Sequence, residues 1–227
     1  MPKTSDRIRA RLTAAGERFR ANDNIAKFIE PGEIEALTEE VAAQVSTLLQ
    51  SLVIDIDHDH NTRETGARVA RMYLKEIFAG RYEPSPDLTA FPNVTSYDEL
   101  YLVGPITIRS TCAHHLQNIR GNCWIGIYPG KNVLGLSKFY RLAEWITARP
   151  QIQEEMTIQI ADLVEAETSA EGLAVVVKAE HMCVTHRGVR EHASDMTTSV
   201  LRGSLRENSD TRAEFFRLLQ GMKGFND

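Results

Sequence analysis

The chain has few cysteines, no long apolar run and no surplus of positive charge, and each absence excludes something. Three cysteines in 227 residues, an odd number, do not suit a disulfide framework and point to a reducing compartment. No apolar stretch approaches the roughly 20 residues that a transmembrane helix needs. No apolar h-region follows the start, so no secretory leader is expected. A net charge of −5 gives the whole chain no attraction for nucleic acid or an anionic membrane surface. Any anionic ligand must therefore meet a local cluster of cations. No internal repeat or low-complexity tract stands out. The expectation is a cytoplasmic protein with neither nucleic acid nor membrane among its partners.

What is present is the composition of an ordinary soluble globular protein, 42% apolar and 25% charged. The length suits one large or two small domains with a real core. Residues 1–22 are rich in arginine (Arg7, Arg9, Arg11, Arg18, Arg20), with Ile8, Leu12, Ala15 and Phe19 at helical spacing. Asp6 and Glu17 argue against a transit peptide, which leaves a loosely ordered or docking helical tail over residues 1–30. Ile34, Leu37, Val41, Val45, Leu48 and Leu52 mark an amphipathic helix after Pro31-Gly32. A polar connection, residues 55–64, precedes a second helix outlined by Val69, Met72, Tyr73 and Ile77, with Gly80 at its C-cap.

The helical region, residues 31–92, ends in a connection marked by Pro84, Pro86 and Pro92. From residue 93 to 227 the pattern changes to β-type runs at 102–110, 122–128, 173–185 and 196–205. Between them lie helical patterns at 137–148 and, beyond Pro150, one carrying Ile152, Met156, Ile160 and Leu163. A last helix, residues 210–220, buries Phe215, Phe216 and Leu219. The order α-α-β-β-α-α-β-β-α predicts an α+β fold: an antiparallel sheet with helices packed on one face, preceded by a helical region.

Cys112-Ala113-His114-His115 and His181-Met182-Cys183 hold two of the three cysteines and three of the seven histidines. Thiolate and imidazole are the ligands that Zn²⁺ prefers. A C-x-x-H pair sets two ligands across one tight turn, and His181 and Cys183, two apart on an expected strand, point to the same side. Cys112, His115 and Cys183 with one position left for water describe a catalytic zinc rather than a closed structural one. Short C-x-x-H matches also arise by chance, and these residues then have nothing to do with one another.

Ser137, Lys138 and Arg141 open a helix, with Ser137 as its N-cap, and helix N-termini bind anions. They read equally as a cap followed by solvated cations. Arg187 and Arg190, just after Cys183, carry the same two readings. Four cations near a metal would supply much of the charge that a triphosphate needs. Gln153-Glu154 opens another helix. Its carboxylate suits the N1/N2 edge of guanine, and an acid in a first turn also suits the helix dipole. His58-Asp59-His60, flanked by Asp55 and Asp57, reads as a solvated loop. Cys123 beside Trp124 reads as a small buried core residue.

Several spaced motifs in one order are more specific than any alone. Ser110-Thr111-Cys112-x-His114-His115, Gly135-Leu136-Ser137-Lys138-x-x-Arg141 and Arg149-Pro150-Gln151-x-Gln153-Glu154 are followed by His181-Met182-Cys183-Val184, Arg187-Gly188-Val189-Arg190 and Thr211-Arg212-x-Glu214-Phe215. Together they resemble GTP cyclohydrolase I, over about residues 64 to 219. The resemblance implies a tunnelling-fold subunit in a homodecamer built from two pentamers, with active sites shared between subunits. It implies Zn²⁺ as cofactor and conversion of GTP to 7,8-dihydroneopterin triphosphate and formate, the first step towards tetrahydrofolate. By position it makes Cys112, His115 and Cys183 the zinc ligands and gives proton handling to His114 and His181. It puts Ser137 near the ribose, Glu154 on guanine with Gln153 beside it, and Lys138, Arg141 and Arg187 on the triphosphate.

Two positions depart from the family pattern. Ala113 stands where the family has Glu, which removes a carboxylate beside the metal ligands. A variant that stops at the ring-opened formamide, or a non-catalytic homologue that binds zinc and GTP, would follow from that loss. With all three ligands and both histidines retained, complete turnover with a pH profile displaced towards acid is the expectation. Thr65-Gly66-Ala67-Arg68 replaces the family's Thr-Pro-x-Arg, a change expected to alter only the way into the second helix.

Overall fold

The computed structural model describes residues 2–226. The chain forms two compact units that divide between Pro84 and Ser85.

The first unit begins with α1 (Thr4–Ala14), followed by α2 (Glu33–Ser51) and α3 (Thr65–Met72). Ile8 and Leu12 of α1 are buried against Ile25, Leu37 and Leu74. The part of the arginine-rich stretch that carries Arg7, Arg9 and Arg11 is thus a docked helix, and two of its cations have a structural use. Arg7 and Arg11 both pair with Glu33, a side chain with 5% of its surface exposed. Burial alone would push the Glu33 carboxyl up. Its hydrogen bonds from Arg11 and the Glu30 backbone, and the Arg11 charge, hold it below the ordinary carboxylate range.

The apolar stripe of α2 is only partly used: Leu37 is buried, whereas Leu48 and Leu52 are 57% and 60% exposed. α3 lies so close to α2 that a Cβ on Gly66 would sit 2.4 Å from Ser46 Oγ and 2.8 Å from the Ala42 carbonyl. Gly66 therefore does more than alter the way into the helix. Beyond Met72 the helix widens into a π-turn, Tyr73–Ile77, and continues as α4 (Ala79–Tyr82). Gly80 accordingly lies inside α4 and does not cap the preceding helix, because the π-turn extends the helical path past it.

The second unit is built on a five-stranded sheet in the order β5-β2-β3-β6-β7. Its strands are β2 (Tyr101–Cys112), β3 (Asn118–Tyr128), β5 (Pro150–Gln151), β6 (Gly172–His181) and β7 (Met196–Gly203). All pairings are antiparallel except the short parallel contact of β5 with β2. A small ribbon joins β1 (Ala90–Pro92) to β4 (Asn132–Leu134). Helices α5 (Leu136–Thr147) and α6 (Gln153–Thr168) cover one face. There Phe139, Leu142, Met156 and Ile160 pack on Ile108, Ile125, Val175 and Val177.

This is the α+β arrangement the pattern predicts, with one addition. After the single turn α8 (Ser204–Glu207), the last helix, α9 (Ser209–Gln220), sets Phe215 and Leu219 in a second cluster with Trp124 and Val176. Those two residues alternate with Ile125, Val175 and Val177 and so face the other side of the sheet.

Two local readings need correction. The β-type run at 173–185 is not one strand. β6 stops at His181, opposite Ile119 near the start of β3, and α7 (Met182–Thr185) coils away as a helical turn. Val184 and Thr185 favour strands, but no neighbouring strand extends that far. His181 and Cys183 therefore do not share a strand face. Nor is Ser137 an N-cap: α5 starts at Leu136 with Gly135 in the cap position and no side-chain cap bond. Among the described residues no helix is long and apolar enough to cross a membrane.

Candidate metal centre

One end of the sheet gathers the candidate chemistry. β2 ends there at Cys112, β3 begins, β6 ends at His181 and α6 begins at Gln153. The Cys112 N–H donates to the Gln117 carbonyl at 2.8 Å, and the Leu116 N–H returns to the Cys112 carbonyl at 2.9 Å. These bonds close a tight turn that carries Ala113, His114 and His115, with Leu116 in the left-handed region at φ 52°. The Ala113 N–H donates to the Gln151 carbonyl at 3.1 Å and ties the turn to β5.

The ligand atoms of Cys112, His115 and Cys183 all lie within 4.8 Å of one another. They form the sole such cluster of His, Cys, Asp and Glu among the described residues. His58-Asp59-His60 is an exposed turn, in which Asp55 accepts the Asp57 and His58 N–H groups. Cys112 is buried and His115 exposed, so the cluster is open on the histidine side. His114 Nδ1 is 3.9 Å from Cys112 Sγ.

Burial, and then the hydrogen bond and charge of Cys112, push the Cys183 thiol above its ordinary range, while the Arg187 guanidinium acts against them. Two thiolates this close repel each other unless a cation lies between them. Two sulfurs and an imidazole nitrogen are the donors a zinc-type ion favours. The donor set fits such an ion.

Two residues before Cys183, at the end of β6, stands His181. Its Nε2 lies 2.8 Å from Gln153 Oε1. The Gln153 side chain is fully buried, and its Nε2 donates to the carbonyls of Val177 (3.1 Å) and Met196 (2.9 Å) and to Thr198 Oγ1 (3.1 Å). Three acceptors around that nitrogen set the amide orientation. Oε1 therefore faces the imidazole, and His181 donates through Nε2–H. Its Nδ1 is left for other partners. Burial lowers the pKa of His181, and the charge of Glu154 opposes the fall. Gln153 sits behind the histidine with its polar atoms engaged inside the fold, while Glu154 is exposed.

The remaining candidates do not all meet. Arg187 follows α7, close enough for its charge to act on Cys183. Ser137, Lys138 and Arg141 lie at the start of α5. Lys138 Nζ donates to the Asp87 carbonyl at 2.6 Å, and Ser137 and Arg141 are exposed. The other end of α5 abuts the metal-side strands: the Gln151 side chain donates to the Ile146 carbonyl at 2.8 Å and to Ser110 Oγ at 3.1 Å. At 1.5 Å of rise per residue, Ser137 is about 15 Å from that end. Within one chain, then, this cation group and the sulfur donors stand at opposite ends of a helix.

Fold and cluster together define an α+β protein with a group of three soft donors, able to hold a metal ion, at one end of its sheet. The chain belongs to the GTP cyclohydrolase I family, whose profile matches residues 41–220. The GTP cyclohydrolase 1 of Corynebacterium glutamicum (strain R) is 42% identical over 185 residues, 81% of this chain and 93% of that protein. Those of Shewanella loihica and Salmonella choleraesuis are 37% and 36% identical. The first spans 80% of this chain and 85% of the relative, the second 79% and 81%. Among solved structures, the apo archaeosine synthase QueF-Like aligns with 53% of this chain and 97% of its own at 15% identity and a TM-score of 0.34.

Proposed function

We propose that this protein converts GTP to 7,8-dihydroneopterin triphosphate and formate, with Zn²⁺ held by Cys112, His115 and Cys183. The observation that carries this reading is the convergence of those three donors within 4.8 Å in a chain of this family. A zinc ion there would supply an activated water nucleophile at neutral pH. C8 of guanine is a poor electrophile until N7 is protonated, and His181 Nδ1 is the atom to hold that proton. Burial lowers the pKa of His181 and so makes its imidazolium a stronger acid, while the Glu154 charge opposes the fall.

Glu154, exposed at the first turn of α6, would accept the guanine N1/N2 hydrogens. Lys138, Arg141 and Arg187 would take the triphosphate. Ser137 and His114 would serve the sugar rearrangement after formate leaves. Because the start of α5 stands roughly 15 Å from the end of that helix which abuts the strand carrying Cys112, the triphosphate cations and the metal of one site fit best when supplied by different copies of the chain. A chain with a net charge of −5 also gains by pooling its cations. Both points support a homo-oligomer with sites at subunit interfaces, and the decamer of the family accommodates them.

Ala113 supports a second reading, arrest at the ring-opened formamide. Its N–H is bonded to the Gln151 carbonyl, so the turn keeps its shape without a carboxylate, and complete turnover is the stronger reading. The test incubates zinc-loaded protein with GTP and follows formate and pterin fluorescence. Both should appear in equal amounts. A ring-opened product without formate would favour arrest, and unaltered GTP would leave a binding protein.

A further inference from the structure

Cys183 lies on a turn that no sheet holds. β6 ends at His181, and residues 182–185 coil away, tied through the backbone only to the loop that follows them, by the His186 N–H to the Met182 carbonyl at 3.1 Å and the Arg190 N–H to the Val184 carbonyl at 2.9 Å. A thiol on such a turn reaches a given point only if the turn itself is fixed. The side chain that fixes it stands immediately upstream. Glu180 faces Arg120 across the β3–β6 pairing, and Arg120 Nε donates to Glu180 Oε2 at 2.7 Å. Glu180 Oε1 accepts from Thr185 Oγ1, also at 2.7 Å. One carboxylate oxygen is anchored to the sheet and the other holds the last residue of the turn. Cys183 lies in the chain between Glu180 and Thr185, the two ends of the second arm.

We infer that Glu180 is a positioning residue for the metal centre, which acts through Thr185 to hold the Cys183 thiol towards Cys112 and His115. The inference rests on the metal reading above. Thr185 is buried with 4% of its surface exposed, so its hydroxyl has little access to water as an alternative partner. Hydrogen bonds to a carboxylate are about twice as strong as neutral ones. Groups that hold metal ligands from behind are typically worth 10–100-fold in metal affinity. A role confined to joining β3 and β6 would need only the Arg120 arm. The Thr185 arm does nothing for the sheet.

The experiment measures zinc affinity by chelator competition, and melting of the metal-free oligomer, for the native chain, Thr185→Val, Thr185→Ser and Glu180→Gln. Thr185→Val should weaken zinc binding about tenfold or more, and Thr185→Ser, which keeps the hydroxyl, should restore it. Glu180→Gln keeps an acceptor and loses the charge, and should fall between the two. In cobalt-loaded protein the thiolate-to-metal absorption band should weaken in Thr185→Val and return in Thr185→Ser. Native protein that binds no zinc would sink the metal reading itself. Native protein that binds zinc while Thr185→Val binds it equally tightly would overturn this inference alone, whatever happens to the melting temperature. Should Thr185→Val not assemble, Glu180→Gln decides by the same two readouts: weakened zinc binding supports the clamp, and native affinity overturns it.

Discussion

Gln153 Oε1 and His181 Nε2 lie 2.8 Å apart, and this bond decides which nitrogen of the histidine is left to face a substrate. The amide cannot turn over, because its nitrogen is committed to Val177, Met196 and Thr198. Gln153→Met keeps the volume and removes the acceptor. Its kcat should fall about 100-fold, the lower end of what a well-placed general acid contributes, with KM for GTP near native. Loss of the buried bonds from Gln153 to Val177 and Met196 should also cost about 1–3 kcal/mol of stability, visible as a lower melting temperature. A raised KM with kcat preserved would show that Gln153 touches the base instead.

Cys183→Ser replaces a soft donor by a hard one and breaks the three-donor cluster. Native protein should carry one zinc per chain and the variant almost none, with circular dichroism unchanged because the turn backbone needs no sulfur. Full zinc in the variant, measured by elemental analysis, would assign the metal to other residues.

Gly66→Ala sets two effects against each other. Alanine improves helix propensity by up to about 1 kcal/mol. Its Cβ, however, would stand 2.8 Å from the Ala42 carbonyl, a backbone atom that cannot swing aside, and 2.4 Å from Ser46 Oγ. Overpacking of this kind costs about 1–3 kcal/mol, so the clash should win and denaturant unfolding should show net destabilisation. Combining it with Ser46→Ala should recover only part of the loss, since the carbonyl remains.

Glu33 ties the stability of the first unit to pH. Its carboxyl lies below the ordinary value of 4.5 in the folded chain. The contribution is therefore complete above about pH 4.5 and is lost as pH falls through the lower folded value. Glu33→Gln should be less stable than native at neutral pH, and its stability should change less between pH 4.5 and 3. Parallel pH–stability curves for the two chains would show that the Arg7 and Arg11 contacts contribute nothing.

Periodicity marks α5, α6 and α9 because each buries a stripe, and it marks α2 although only Leu37 of its stripe is buried. The donor residues were legible for a related reason: cysteine and histidine are scarce, and two tight clusters of them stand out. Their geometry was not. Cys183 comes beside Cys112 by way of a helical turn rather than a strand face, since the partner strand gives out at Ile119, and register cannot be read from one segment. The same gap hid the Arg120–Glu180–Thr185 clamp, whose members are ordinary until the pairing of β3 with β6 is known. Gln153 looked like a base-reading group because it precedes Glu154. Only the positions of Val177, Met196 and Thr198 show it turned inward. β5, two residues long, is too short to leave any pattern.

The sulfur donors hang from the ends of β2 and β6, which are not neighbours in the sheet, since β3 runs between them. An ion held by both would act as a rivet across three strands, and the unfolded chain would lose it. Each hundredfold excess of free zinc over its dissociation constant would then add about 2.7 kcal/mol to the folded state, and a chelator would take the same amount away. The supply of zinc in the cell would govern how long each molecule survives proteolysis as well as how fast it works.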